Sequence, residues 1–163
     1  MQTPIIVALI AGGFAIIAPI VTFIVTRSYE NRFLQPVSSN RVAALVGSWE
    51  GTTHQECGPG GKPDDAKVSF KLALAGKKLR GQGIFRTCVG AEEVVITFHL
   101  SGGFLHDRFL RFDYNPEASE TVQFGSIIVE LSNDAKKLTG RYMGYGAFTN
   151  ALVYGTVCVT KMA

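Results

Sequence analysis

"LVGSWEG", residues 45–51, is the stretch whose reading decides the fold. Gly47, Trp49 and Gly51 alternate with Ser48 and Glu50. A period of two marks a strand with one face toward a core and one toward water. The chain holds a single tryptophan, and it stands at the head of this strand. That position makes Trp49 a core side chain closing one end of the structure, rather than a ligand contact.

The same period continues to the C-terminus. Seven further strands follow, at about 66–74, 78–87, 92–101, 104–114, 121–131, 137–146 and 151–161, after a first at about 44–54. Turn residues separate them, as in "CGPGGKPDD" at 57–65. In "AKVSFKLAL", Val68, Phe70, Leu72 and Leu74 share a face. Short strands at regular spacing, without convincing helices between them, predict an antiparallel sheet. Eight strands in a meander avoid open edges by closing into a barrel. Gly81, Gly83, Gly140, Gly144 and Gly155 lie inside strands, where they mark bends or close approach of neighbouring chain. "GKKLRGQG" at 76–83 echoes "AKKLTGRY" at 135–142, a repeated hairpin with a buried leucine after a solvated lysine pair.

The N-terminus is different in kind. Residues 4–26, "PIIVALIAGGFAIIAPIVTFIVT", carry no charge, and all 16 basic and 13 acidic residues follow them. As a helix rising about 1.5 Å per residue, such a run crosses a hydrocarbon core of roughly 30 Å. No Lys or Arg precedes it and no small-residue cleavage site follows, so a retained anchor is expected over a cleaved signal peptide. Arg27, Arg32 and Arg41 follow the run, which puts the C-terminal domain on the cytoplasmic side. The expected organisation is an anchor at 1–27, a juxtamembrane connector at 28–43 broken by Pro36 and Ser38-Ser39-Asn40, and a barrel at 44–163. Ala8, Gly12, Ala15 and Ala18 are small residues at helical spacing, a pattern that lets membrane helices pack closely. A plain anchor is the alternative.

Cys57, Cys88 and Cys158 are odd in number and lack tight ligand spacing, which suits a reducing compartment. A Cys57–Cys88 disulfide in an exported domain is the alternative. No catalytic motif stands in the chain. His54, His99 and His106 fall on three different predicted strands, so neither a metal site nor an acid/base pair is expected. The reading is therefore a binding protein and not an enzyme, with no cofactor.

Candidate ligand contacts follow from phase. Arg108 is in step with Leu110, Phe112 and Tyr114, so it points inward if that face does; Arg111 is the candidate if the other face does. An inward arginine needs a carboxylate or phosphate partner. Tyr142 lies between Gly140 and Gly144, either as a platform for a flat ring or as a tyrosine accommodated by glycines. Thr52, Thr53, His54, Arg86, Tyr145, Asn150 and Tyr154 complete a rim of aromatic, cationic and polar residues that suits bases and phosphates.

Together the apolar run 4–26, "LVGSWEG", "FLRFDYNPEASETVQFGSIIVELSNDAKKLTGRYMG" at 109–144 and "YGTVCVTK" at 154–161 resemble the small transmembrane β-barrel effectors of bacterial CBASS anti-phage systems. Those effectors join N-terminal membrane helices, commonly two, to a lipocalin-like cytosolic barrel; this chain has one run of spanning length. The resemblance implies an inner-membrane, single-pass receptor for a cyclic di- or oligonucleotide made by a partner nucleotidyltransferase. Ligand binding would drive homo-oligomer assembly and membrane disruption, with no nucleic-acid polymer as partner. A membrane-tethered lipocalin-like carrier or scaffold for an apolar small molecule is the second reading.

Overall fold

Phe109–Pro116 shows how the chain sorts its faces: Leu110, Phe112 and Tyr114 are buried, while Phe109, Arg111 and Asp113 between them are exposed. A similar alternation recurs, less strictly, along other strands of a computed structural model that describes residues 18–22, 25, 38–57, 64–76, 78–89, 92–117, 122–146 and 150–162. A short helix, α1 (Ser39–Leu45), precedes β1 (Gly47–Cys57), β2 (Asp64–Ala75), β3 (Lys78–Val89) and β4 (Glu92–His106). β5 (Phe109–Pro116), β6 (Phe124–Leu131), β7 (Lys137–Gly146) and β8 (Ala151–Lys161) follow.

The eight strands form one closed antiparallel barrel in chain order, with β8 returning to pair with β1. Closure leaves no strand edge for another chain to extend. The expected mainly-β fold and the eight-stranded antiparallel closure are present. β7 and β8 have the expected bounds. The boundary between the fourth and fifth strands does not. Phe104, Leu105 and His106 continue β4, and the chain reverses at Asp107 and Arg108, where Asp107 has φ +26°.

One end of the barrel is closed by side chains. Leu45, Trp49, Leu110, Leu138 and Val159 are wholly buried there, with Leu72 and Leu79 beside them. α1 is part of this closure and was not expected within the connector. Seven residues do not hold a helix alone; tertiary contacts fix this one. Trp49 Nε1 donates to the Leu45 carbonyl at 3.0 Å. Lys161 Nζ donates to the Ala44 carbonyl at 2.5 Å and lies 6.0 Å from the centroid of the Trp49 ring. Arg41 pairs with the carboxylate of Asp107 and donates to its carbonyl at 2.9 Å. Leu45 thus belongs to the helix, and the strand expected from residue 44 begins at Gly47. The leucines of the repeated hairpin, Leu79 and Leu138, are buried, while Lys136 and Lys137 are exposed.

The connections β1–β2, β3–β4, β5–β6 and β7–β8 lie at the opposite end, the mouth. Residues 58–63, 90–91, 118–121 and 147–149 of these connections lie outside the described residues. Glycines let neighbouring strands approach closely between the two ends. A Cβ on Gly140 would sit 2.0 Å from the Ile128 carbonyl oxygen, and one on Gly155 would sit 2.0 Å from that of His54.

The barrel and α1 belong to a unit running from Gln35 to Ala163, separate from one ending at Leu34. In the first unit residues 18–22 and 25 are helical. Among the described residues no helix is long and apolar enough to cross a membrane. Most of the expected anchor, including Ala8, Gly12 and Ala15, lies outside the described residues; Ala18 is helical and exposed.

Candidate functional site

The barrel interior does not fill at the mouth. Five aromatic residues, Phe70, Phe85, Phe98, Tyr114 and Tyr142, line a cavity of about 90 Å³ together with Val68, Ile96, Ile127, Val153 and Val157. Thr53, Gln55 and Gln123 supply its polar side chains, and Gly146 lies at its edge. No charged residue is in this lining.

Size and polarity limit what can enter. Pockets for drug-sized ligands run to roughly 300–1,000 Å³, and an apolar cavity of about 150 Å³ takes benzene. The space here suits one ring or one short chain, with the open mouth letting the rest of a ligand project. A phosphate inside would lose its water with no counter-charge, a cost of several kcal/mol or more. Phosphates therefore belong outside the mouth.

Two aromatic side chains shape the floor. Phe98 and Tyr114 meet edge to face, with centroids 5.9 Å apart and planes at 64°. The Tyr114 hydroxyl sits over Gly125 and Gly144, where an added Cβ would lie 2.5 Å and 2.1 Å from it. The register explains the niche, since Tyr114, Gly125 and Gly144 are cross-strand neighbours on β5, β6 and β7. Burial pushes the Tyr114 phenol up to about 12, so it stays neutral. The tyrosine that uses these glycines is thus Tyr114, from another strand; Tyr142 lines the cavity instead.

Of the expected ligand residues, Thr53 and Tyr142 meet in the cavity. The arginines do not. Leu110, Phe112 and Tyr114 do face inward, but Arg108 is exposed in the β4–β5 turn at the closed end, with its Nε 2.9 Å from Glu130. The turn breaks the phase that had aligned it with the buried face. Arg111 is on the outer wall, its guanidinium bonded to Asp113 at 2.9 and 3.0 Å. Arg86 is also on the outer wall, 3.8 Å from Glu93. Thr52 is exposed, and so is His54, whose Nδ1 lies 2.7 Å from Asp65. Tyr145 stacks on Phe124 at 5.9 Å and donates to Asn150, whose φ of +50° makes it a turn residue. Tyr154 is exposed on the outer wall, cross-strand from Met143.

Gln55 and Gln123 were not among the expected contacts, although a signal for each stands in the sequence. Gln55 is in phase with Trp49, Gly51 and Thr53; Gln123 is in phase with Ile127, Val129 and Leu131. Cys88 and Cys158 carry free thiols, and the Cys57 side chain lies outside the described residues. Among the described residues no group of three His, Cys, Asp or Glu is placed to hold a metal ion. No protein-family model matches the sequence, and no curated protein shows significant similarity to it.

Proposed function

We propose that this chain is a membrane-tethered receptor whose barrel takes an uncharged, ring-bearing part of a ligand into its mouth. The observation that carries this is the lining: five aromatic residues and three neutral hydrogen-bonding side chains, without a charge. Aromatic faces stack on a flat ring, while amides and hydroxyls bond its edge. A cyclic di- or oligonucleotide made by a partner nucleotidyltransferase meets these terms when one base enters and the phosphates stay in water. The apolar run 4–26 supplies the output. Ligand-bound barrels assemble, and their anchors breach the bacterial inner membrane in defence against phage.

The small, mostly hydrocarbon cavity favours a second reading, a tethered carrier of an apolar molecule. One titration separates the two. The full-length chain in lipid nanodiscs is mixed with cyclic dinucleotides and with a medium-chain fatty acid, and heat is recorded against empty nanodiscs. Saturable heat with a cyclic dinucleotide supports the receptor. Heat with the fatty acid alone makes the protein a carrier. Removing residues 1–26 should keep ligand binding and abolish membrane damage on expression with the synthase; damage that persists refutes the anchor as output.

A further inference from the structure

We infer that the outer wall of β6, β7 and β8 is a contact face between copies of this chain. It gives the assembly proposed above its surface and rests on that reading. Two rows of side chains cross the three strands on their outward side. Phe124, Tyr145 and Leu152 are cross-strand neighbours in the row nearer the mouth, and Ser126, Met143 and Tyr154 in the next. Ile128 continues the face along β6. Neither row contains a charged residue. Phe124, Ile128, Met143, Leu152 and Tyr154 are 44–69% exposed, and among the described residues no other three neighbouring strands expose so many large apolar side chains. The Phe124 and Tyr145 rings stack at 7° with centroids 5.9 Å apart, so these two are ordered before any contact forms.

Area and charge identify the occupant. An aromatic side chain has about 150–250 Å² to bury, so five large side chains this open present on the order of 500 Å². Monomers rarely expose more than a few hundred Å² in one apolar patch. A stable interface takes about 800 Å² from each partner. The face therefore falls short of a dimer in dilute solution and suffices where an anchor concentrates copies on one membrane. The barrel is closed, so copies cannot join by strand addition and must meet wall to wall. An uncharged face is complementary to itself, because two copies related by a two-fold axis bring no like charges together. It does not suit anionic lipid or nucleic acid, which need free cations. Arg141 at its border lies 3.4 Å from Glu56, and Arg111 beyond Ser126 is bonded to Asp113.

Full-length chains carrying donor or acceptor dyes at the C-terminus are mixed in liposomes, with and without the cyclic dinucleotides of the titration above. Energy transfer between chains reports association. Leu152→Lys and Met143→Lys each put a cation on both sides of the contact and should weaken association at least about 10-fold, because charges buried without partners are costly. Leu74→Lys alters an exposed leucine of β2 outside the face and should leave association unchanged. Transfer that survives both face variants, or that Leu74→Lys lowers equally, overturns the face while assembly stands. No transfer in the wild type under either condition overturns the assembly and the face together. Photo-cross-linking from p-benzoylphenylalanine in place of Phe124 locates the contact even if the lysine variants fail to fold. In an equal mixture of light and heavy isotope-labelled chains, irradiation should join peptides of mixed label, both from within residues 122–156. Joining to residues 4–26, to lipid or to another wall of the barrel overturns the inference.

Discussion

Gly83→Ala probes whether the interior is built around the ring of Phe98. An added Cβ would lie 2.4 Å from Phe98 Cζ and 2.5 Å from Cε2, with Cε1 at 3.1 Å. All three nearest atoms belong to one ring. Carbon atoms pack at about 3.5–4.0 Å, so the ring must retreat by roughly 1 Å. Gly83 is opposite Phe98 in the β3–β4 register, so the retreat is inward. It is directed into the cavity of about 90 Å³ that Phe98 lines. Overpacking a filled core costs about 1–3 kcal/mol, and room behind the ring puts this change near 2. Losing a glycine from a strand returns about 0.5–1 kcal/mol, leaving a net destabilisation of about 1 kcal/mol. Urea unfolding followed by Trp49 fluorescence measures it. The cavity shrinks as the ring enters it, so toluene affinity should fall as well. Phe98→Leu removes the ring that the new methyl meets, so the double variant should be more stable than the sum of the single losses by about 1 kcal/mol. Wild-type stability in Gly83→Ala, together with strict additivity in the double variant, would refute the packing described.

The Tyr114 phenol gives a pH signature. Its folded value near 12 lies above the ordinary 10, so its contribution is fully present below pH 10 and is lost as the pH rises to about 12. Two units correspond to about 2–3 kcal/mol. Urea unfolding should show that extra loss in the wild type and not in Tyr114→Phe; parallel pH profiles would contradict the burial. Leu45→Ala removes a wholly buried side chain that joins α1 to the core and should cost about 2–5 kcal/mol by thermal unfolding. A loss below 1 kcal/mol would mean that α1 does not close the barrel. Arg108→Ala should leave ligand affinity unchanged and cost no more than about 1 kcal/mol, because Arg108 is exposed and paired with Glu130. Loss of ligand binding in that variant would return the arginine to the site.

How far the sequence alone carried the fold is visible at particular residues. β7 and β8 could be read to their ends because alternation between turn residues is a local property. At Gly102-Gly103 the same reasoning failed. Two glycines look like a turn, yet both lie within β4, and a Cβ on Gly102 would sit 1.9 Å from the Arg111 carbonyl oxygen of β5. Gly102 allows close approach of β4 and β5, and the reversal comes later at Asp107 and Arg108. Misplacing that turn is what aligned Arg108 with Leu110 and made it a candidate inside the barrel. The niche of Tyr114 depends on the register of three strands, which a single sequence does not carry. α1 is too short for helical periodicity to emerge and is held by Trp49, Lys161 and Asp107 from elsewhere in the chain.

Charge then decides how an anionic ligand can be held. Arg86, Arg111 and Arg141 stand on the outer wall of the barrel, each within reach of a carboxylate. Pairs this exposed contribute little to stability, so a phosphate at the surface can exchange with such a carboxylate at small cost. The interior offers no such exchange, because nothing in its lining carries charge. On the proposed reading, the two parts of a nucleotide are recognised in different places. On that reading, affinity for the ring comes from the uncharged lining of the cavity and should be insensitive to salt. Any contribution from phosphates comes from exposed cations and is screened within about 8–10 Å at physiological ionic strength. For a ligand with both parts, salt should remove the phosphate share of affinity and leave the ring share intact. A steep salt dependence extending to complete loss of binding would place the whole ligand outside the barrel.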